Sequence, residues 1–358
     1  MRKFISLKSL LSVSLATSLI VLTFSSVQGL ERIRWKMQSA WGAKIVPLGP
    51  TGLRIQDTVK ALSDGKIQIR FHEPNALVPT LEIWGAVKNG SLDAGFTTPG
   101  YHAGYVPAVS FFSAVPFGPG VLEYTAWMDY GGGNEIKEKI YGEHGLYPLK
   151  CLIIAPETSG WFRKKYTRVE ELKGMKMRFF GLGARVMQKI GVSTQLLAGG
   201  DIFPALEKGV IDATEFSMPT MDIKYGFYQI AKNNYFPGWH QQVSISQLLI
   251  NSGKWKGLAD NYKAMVEVGC GDSIHHTYAE TEYKNPFAMV EMGKKYGVIT
   301  RRWRDDQIAV FEKAWNSVME EDSAKDPTFK RVAESYKKFR TAYAKWGNAQ
   351  SLKPTYLK

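Results

Sequence analysis

Among the side chains able to do chemistry, Arg178 is singled out by its position. It lies in the run Lys176-Met177-Arg178-Phe179-Phe180, immediately before Gly181, and the alternation followed by glycine reads as a strand ending at a turn. An arginine there presents a planar fork of donors that matches a carboxylate with two parallel hydrogen bonds. From the pattern alone, a surface salt bridge is equally open. Other constellations fall away on inspection. Gly181-Leu182-Gly183-Ala184-Arg185-Val186 has valine at the third glycine of a dinucleotide fingerprint, with no cleanly placed acidic residue about 20 positions on. Gly131-Gly132-Gly133-Asn134 lacks the Lys-Ser/Thr ending of a phosphate loop and reads as a turn. His275 and His276, with Cys270 nearby, match no standard zinc spacing and read as an exposed helix face. Neither a Gly-x-Ser-x-Gly elbow nor a His-Glu-x-x-His pair occurs, so hydrolase chemistry has no support in the sequence.

The elements that must position such residues read as α/β. Ile33, Trp35 and Met37 alternate with polar neighbours, as do Ile67, Ile69 and Phe71, which predicts two half-buried strands. Residues 53–62 between them read as a helix closed by Ser63-Asp64-Gly65. The stretch Ala86-Val87-Lys88-Asn89-Gly90-Ser91-Leu92-Asp93-Ala94 recurs as Ala205-Leu206-Glu207-Lys208-Gly209-Val210-Ile211-Asp212-Ala213. Each copy reads as helix end, glycine stop and strand entry. The residues after the two Asp-Ala pairs, 95–98 and 214–217, are then expected at or beyond strand C-termini, where open α/β sheets hold their ligands. The repeat predicts two lobes with facing loops.

The N-terminus shows Arg2, Lys3 and Lys8, an apolar stretch over 10–24 interrupted by serine and threonine, and then Ser25-Ser26-Val27-Gln28-Gly29. This is the layout of a secretory signal, with cleavage expected after Gly29 and the mature protein outside the cytoplasmic membrane. Removing residues 1–29 leaves 329 of the 358 residues, more than a single core usually serves. The expected division is lobe I over 30–150 with later crossing segments after about 244, and lobe II over 151–243. A helical region over 258–346 then packs on both lobes, and 347–358 form a loose tail. An apolar fraction of 44% and a charged fraction of 22% are ordinary for a globular chain. The net charge of +13 is dispersed rather than clustered, which favours approach of small anions and gives no nucleic-acid footprint. Cys151 and Cys270 show no motif spacing and are expected as two buried apolar thiols, although the exported compartment permits a bridge. Near the C-terminus, Lys325-Asp326-Pro327 opens a helix at its first turn, and Phe329, Val332, Tyr336, Phe339, Tyr343 and Trp346 form an apolar stripe along it. The stripe needs cover, from its own subunit or from a partner's.

Several separated segments, in order, carry a resemblance. They are Gly160-Trp161-Phe162-Arg163-Lys164, then Glu170-Glu171-Leu172-Lys173-Gly174-Met175-Lys176-Met177-Arg178, then Gly181-Leu182-Gly183. Ile202-Phe203-Pro204-Ala205-Leu206, Gly209-Val210-Ile211-Asp212-Ala213-Thr214-Glu215 and Pro237-Gly238-Trp239-His240 continue it. Over essentially the whole mature chain the sequence resembles the substrate-binding component of tripartite ATP-independent periplasmic (TRAP) transporters, the DctP-type family. Ala76-Leu77-Val78-Pro79 and Ser113-Ala114-Val115-Pro116-Phe117-Gly118 are similar to the branch that binds 2-oxo and 2-hydroxy acids with a metal ion. The resemblance implies a two-lobed, hinged fold with long C-terminal helices, a small organic acid as ligand, and membrane permease subunits as partners. It places the carboxylate clamp at Arg178 and metal ligands at Glu215, Glu157 and the backbone carbonyl of Phe216. It also places Tyr101, on the loop Pro99-Gly100-Tyr101, at the same cleft, with Trp41 and Phe216 as aromatic walls. Three positions depart from the branch: Glu157 stands for glutamine, Phe216 for tryptophan, and Ser217-Met218-Pro219 for a Gly-Pro pair.

Two carboxylates and an anionic ligand in one closed cleft repel one another unless a cation lies among them. Oxygen donors select hard ions, and the added charge of Glu157 favours calcium over sodium. Without a metal, Glu157 would instead meet an amino group on the ligand, and a sugar acid or aromatic acid would fit the same transport role. The reading of another class is an exported enzyme acting on a carboxylic acid, with Glu157 or Glu215 as general base. A homodimer through the 329–346 stripe completes the expectations.

Overall fold

The computed structural model describes residues 32–352, and these form part of one compact unit that begins at Arg32. The expected leader, 1–29, lies outside the described residues. Two mixed sheets carry the fold. The first orders its strands β2 (Ile67–His72), β1 (Ile33–Ser39), β3 (Ala94–Thr97), β10 (Ser244–Asn251) and β4 (Leu146–Ile154). The second orders them β11 (Ile299–Arg302), β9 (Asn233–Phe236), β5 (Gly160–Phe162), β8 (Ala213–Thr214), β6 (Lys176–Arg178) and β7 (Ser193–Gln195). Alternation sets the first two strands: Trp35 and Met37 of β1 and Ile67 and Ile69 of β2 are buried, with Arg34, Lys36, Gln68 and Arg70 exposed between them. The helix that joins them runs over Leu48–Leu62, earlier than the expected start at 53. Its first turn contains Gly49 and Pro50; both read as breakers, yet a helix's first turn has no N–H partners to lose.

The repeated segment has a common structural cause. In the first lobe, Asp93 N–H donates to the Lys36 carbonyl (3.2 Å), and its Oδ2 accepts from Lys36 N–H (2.8 Å). In the second, Asp212 N–H donates to the Lys176 carbonyl (2.7 Å), and its Oδ2 accepts from Lys176 N–H (2.9 Å). Each aspartate thus starts a strand by locking it to the parallel strand beside it.

The chain passes between the sheets three times: by a first crossing segment between β4 and β5, by a second between β9 and β10, and by the helices between β10 and β11. Strand β4 stays in the first sheet to Ile154, past the division expected after 150, because its register with β10 continues to the Ser244–Ile154 pair. The 37-residue helix Asp260–Tyr296 then spans both lobes. Thr277 Oγ1 donates to the Ile153 carbonyl of the first lobe (3.0 Å), and Asn285 Oδ1 accepts from Thr220 N–H and Oγ1 of the second (3.2 and 2.8 Å). Cys151 and Cys270 do not remain free thiols. They form a disulfide between β4 and this helix, with Cα atoms 4.1 Å apart. A separation of 119 residues in sequence gives no hint of that proximity. The region expected to be wholly helical contributes β11 to the second sheet, paired parallel to β9.

Helix Asp305–Lys325 packs on the second lobe through Arg185–Asp322 (2.8 Å). Helix Pro327–Gln350 returns to the first lobe. Asp326 caps it by accepting from Thr328 N–H (2.7 Å) and Phe329 N–H (3.2 Å). Phe329 meets Phe111 with ring centroids 4.8 Å apart, and Tyr336 meets Trp127 at 5.2 Å. The early part of the stripe is therefore covered by its own subunit, while Trp346 at its end is 59% exposed. The helix continues to Gln350, so residues 347–350 are not the loose tail expected; the last residues, 353–358, lie outside the described ones.

Candidate functional site

Arg178 ends β6 and Glu215 comes directly after β8, and the parallel pairing of these strands sets Arg178 opposite Thr214. Glu215 N–H donates to the Arg178 carbonyl (3.2 Å). The side chains then meet: Arg178 Nη1 donates to the Glu215 carbonyl and to Oε1, both at 2.8 Å, and Nε donates to the Leu197 carbonyl (3.2 Å). Phe180 N–H donates to the same Oε1 (2.5 Å). Arg178 is 1% exposed and Glu215 0%, so this is a buried pair and not a surface bridge. Half of the expected fork is engaged within the lobe. Nη2 makes no hydrogen bond to any described residue, and Arg178 lines a cavity between the sheets.

The other carboxylate, Glu157, lies on the first crossing segment, where Ser217 Oγ donates to its Oε1 (2.8 Å). The second crossing segment brings His240 between the two acids, with Nε2 3.8 Å from Glu157 Oε2 and 3.6 Å from Glu215 Oε2. Burial works against the imidazolium, but the two carboxylates outweigh it and hold His240 up at about 9. Burial lifts Glu157 to about 7, with the charge of Glu215 adding to the rise against the nearby His240 and the hydrogen bond from Ser217. Burial also pushes on Glu215, yet Arg178 and His240 overcome it and keep that carboxyl below its usual range. His240 is therefore the basic group nearest both acids besides Arg178, a neighbour that the sequence motif Pro237-Gly238-Trp239-His240 does not by itself announce. The rule that locates Glu215 also finds His240, because this motif comes directly after strand β9.

The cavity is lined by Trp41, Tyr101, Glu157, Arg178 and Phe216, all expected from the sequence, by Ser217 from the stretch 214–217 expected near a ligand, and by Phe180 and Gln241, which the sequence does not assign to a site. Trp41 lies just beyond β1, and Tyr101 sits in the short turn Pro99–His102 beyond β3. Arg178 lies over the rings of Phe216 (5.2 Å) and Phe180 (5.9 Å). Tyr101 meets Phe180 edge-on across the lobes at 5.6 Å. Gly100 permits that approach, since a Cβ there would stand 2.2 Å from the Phe180 ring. Glu157 Oε2 and Glu215 Oε2 are buried without a hydrogen-bond partner, and one ligating atom each from Glu157, Glu215 and His240 all lie within 4.8 Å. Unanswered carboxylate oxygens at this spacing fit a bound cation. His275 and His276 are exposed on their helix, away from these acids.

Two α/β lobes joined by crossing segments, with a buried arginine and aromatic walls between them, define a hinged solute-binding protein. The chain belongs to the DctP family of bacterial extracellular solute-binding proteins, family 7, which matches residues 44–326, and it is the solute-binding component of a TRAP transporter. It is 31% identical over 329 residues to a monocarboxylate 2-oxoacid-binding periplasmic protein of Nostoc sp., covering 92% of this chain and 90% of that one. A TRAP solute-binding protein from Bordetella bronchiseptica, a mixed-occupancy dimer with calcium and picolinate, superposes with a TM-score of 0.87 at 30% identity over 89% of this chain and 95% of that one. Another, from Pseudoalteromonas atlantica with sodium and pyruvate, gives 0.86 at 27% identity over 89% and 97%.

Proposed function

We propose that this protein is exported with removal of residues 1–29 and captures a small 2-oxo or 2-hydroxy monocarboxylate in the periplasm. It then delivers the acid to the membrane permease subunits without transforming it. The observation that carries this reading is the buried Arg178, whose Nη2 is left over after Nη1 and Nε are engaged and whose side chain lines the cavity. A carboxylate there would gain a charge-assisted bond in a dry site. Trp41, Tyr101 and Phe216 would enclose the rest of a small ligand. The matched family is one of solute-binding proteins, which supports binding rather than turnover.

Glu157, Glu215 and the Phe216 carbonyl would hold a cation, with calcium ahead of sodium because two carboxylates favour the divalent ion. Calcium accompanies picolinate in the Bordetella relative. Titrating pyruvate into protein stripped with EDTA, with and without added calcium, tests the whole reading. Calcium should tighten binding at least tenfold, roughly 1.4 kcal/mol. Equal affinity in both conditions would remove the cation, and absence of binding would remove the monocarboxylate.

The same protein would pair through the open end of helix Pro327–Gln350, where Trp346 stands exposed. Light scattering at micromolar concentration should give twice the subunit mass. A subunit mass there would leave the stripe as internal packing only.

A further inference from the structure

Beside the ligand cavity a second cavity, of about 340 Å³, lies between the lobes and shares no lining residue with the first. The first lobe lines it with Pro107 and Ser110, the second with Gly181, Leu182 and Arg185, and Phe329 comes from the last helix. Its carboxylates are already engaged. Arg185 Nη2 and Nε donate to Asp322 (2.8 and 3.2 Å), and Asp326, also in the wall, accepts from the N–H groups of Thr328 and Phe329. The groups that remain are able to donate. Ser110 is 1% exposed, and its Oγ makes no hydrogen bond to a described residue. Helix Gly181–Lys189 has no side-chain cap, and the N–H groups of Gly181, Leu182 and Gly183 find no acceptor among the described residues. Lys325 lines the same cavity and forms no salt bridge to a described residue. Between these donors the walls Pro107, Leu182 and Phe329 are apolar.

We propose that this cavity is a second binding site, for a monocarboxylate that carries an apolar chain. The head group sits at the start of helix Gly181–Lys189, where unpaired N–H groups and the helix dipole favour an anion, and it takes further donors from Ser110 Oγ and Lys325. The chain lies against Pro107, Leu182 and Phe329, in a volume that suits a small ligand. Ser110 adds what a helix terminus alone lacks, a buried hydroxyl without a partner, whose desolvation a ligand oxygen offsets. An occupant touches both lobes at once and so favours their closed arrangement over an open one. Phe180 lines the first cavity and Gly181 the second. The two sites therefore meet at one turn, and each ligand tightens the other by the same factor.

Calorimetry tests this with octanoate as the probe on the full mature chain, both alone and with calcium and saturating pyruvate in the first cavity. One octanoate per chain should bind in both conditions, and it should tighten pyruvate at least about threefold. Acetate, which lacks the chain, and 1-octanol, which lacks the charge, should each bind at least about tenfold more weakly. Ser110→Val and Lys325→Glu should each weaken octanoate about tenfold while leaving pyruvate alone within about threefold. Lys325 is exposed, so its variant keeps the test open if the valine variant fails to fold. Octanoate that does not bind, or that competes with pyruvate for the first cavity, overturns the proposal. So does octanol binding as tightly as octanoate, or variants that bind octanoate like the wild type. Octanoate binding that leaves pyruvate affinity unchanged overturns the coupling between the sites. If pyruvate itself does not bind, the monocarboxylate reading of the first cavity fails, and octanoate without pyruvate still decides the second.

Discussion

After Asp93 the first lobe enters its strand as Ala94-Gly95-Phe96-Thr97, whereas after Asp212 the second runs Ala213-Thr214-Glu215-Phe216. The local scaffold is the same, an aspartate locked to a neighbouring strand in both directions. The residues beyond the aspartate differ in charge. The second lobe places a buried carboxylate against the arginine of the adjoining strand, while the first offers Trp41 and Tyr101 to the cavity. This division suits a cleft that opens and closes. Arg178 and Glu215 belong to the same lobe, so they stay paired in either state, and no buried charge is stripped of its partner when the lobes separate. The lobe that moves onto the ligand brings aromatic surface, which can meet water without a comparable penalty.

Truncating one side chain on each lobe breaks the comparison most sharply. Arg178→Ala should destabilise the fold by about 3–5 kcal/mol, since it leaves Glu215 buried without its main counter-charge, and it should abolish ligand-induced stabilisation. A strand-end arginine on the surface could be removed without harm to the fold; at 1% exposure this one cannot be. Tyr101→Phe on the first lobe removes only a hydroxyl lying beside Trp41 and Arg178. It should leave stability within about 1 kcal/mol and weaken acid binding about tenfold. Thermal denaturation with and without ligand measures both effects. Similar losses of stability in the two variants would show that the lobes do not divide charge from cover.

The parts of this arrangement that are legible in the sequence rest on local periodicity. Alternation in 33–39 and 67–72 marks the first strands, the repeated Gly-x-x-Asp-Ala marks two equivalent strand entries, and Pro327 marks a helix start. The position of Arg178 comes from a strand ending at glycine. The hidden parts depend on segments far apart in sequence. His240 acquires its role only because residues 157 and 215 converge on it, and the Cys151–Cys270 bridge closes 119 residues. Strand β11 lies between two long charged helices, and its residues Ile-Thr-Arg-Arg carry no alternation strong enough to reveal a sheet edge. Gln241 reads as one more polar residue, because its burial is imposed by the glycine that lets its segment approach Glu157.

The two aspartates allow a finer test of whether scaffold and site are separable. Asp93 is buried, and besides Lys36 N–H it faces Lys254 Nζ at 3.2 Å. Asp212 is exposed and holds only the backbone of Lys176. On stability alone, Asp93→Ala should therefore cost more, about 2 kcal/mol against about 1 kcal/mol for Asp212→Ala. Ligand affinity should show the reverse order. Asp212 sets the register of β8 against β6, where Arg178 is the last residue of one strand and Glu215 the next residue after the other, so a slip there shifts both charged groups. Asp93 sets β3 against β1, which carry only uncharged walls. Asparagine at either position retains an acceptor for the neighbouring N–H and should restore most of the loss that alanine causes. Chemical denaturation ranks the stabilities and calorimetry ranks the affinities. If both rankings track burial, with Asp93→Ala worse in each, then the register of the charged strands is fixed by the Arg178–Glu215 pair itself and the aspartate beside it is dispensable.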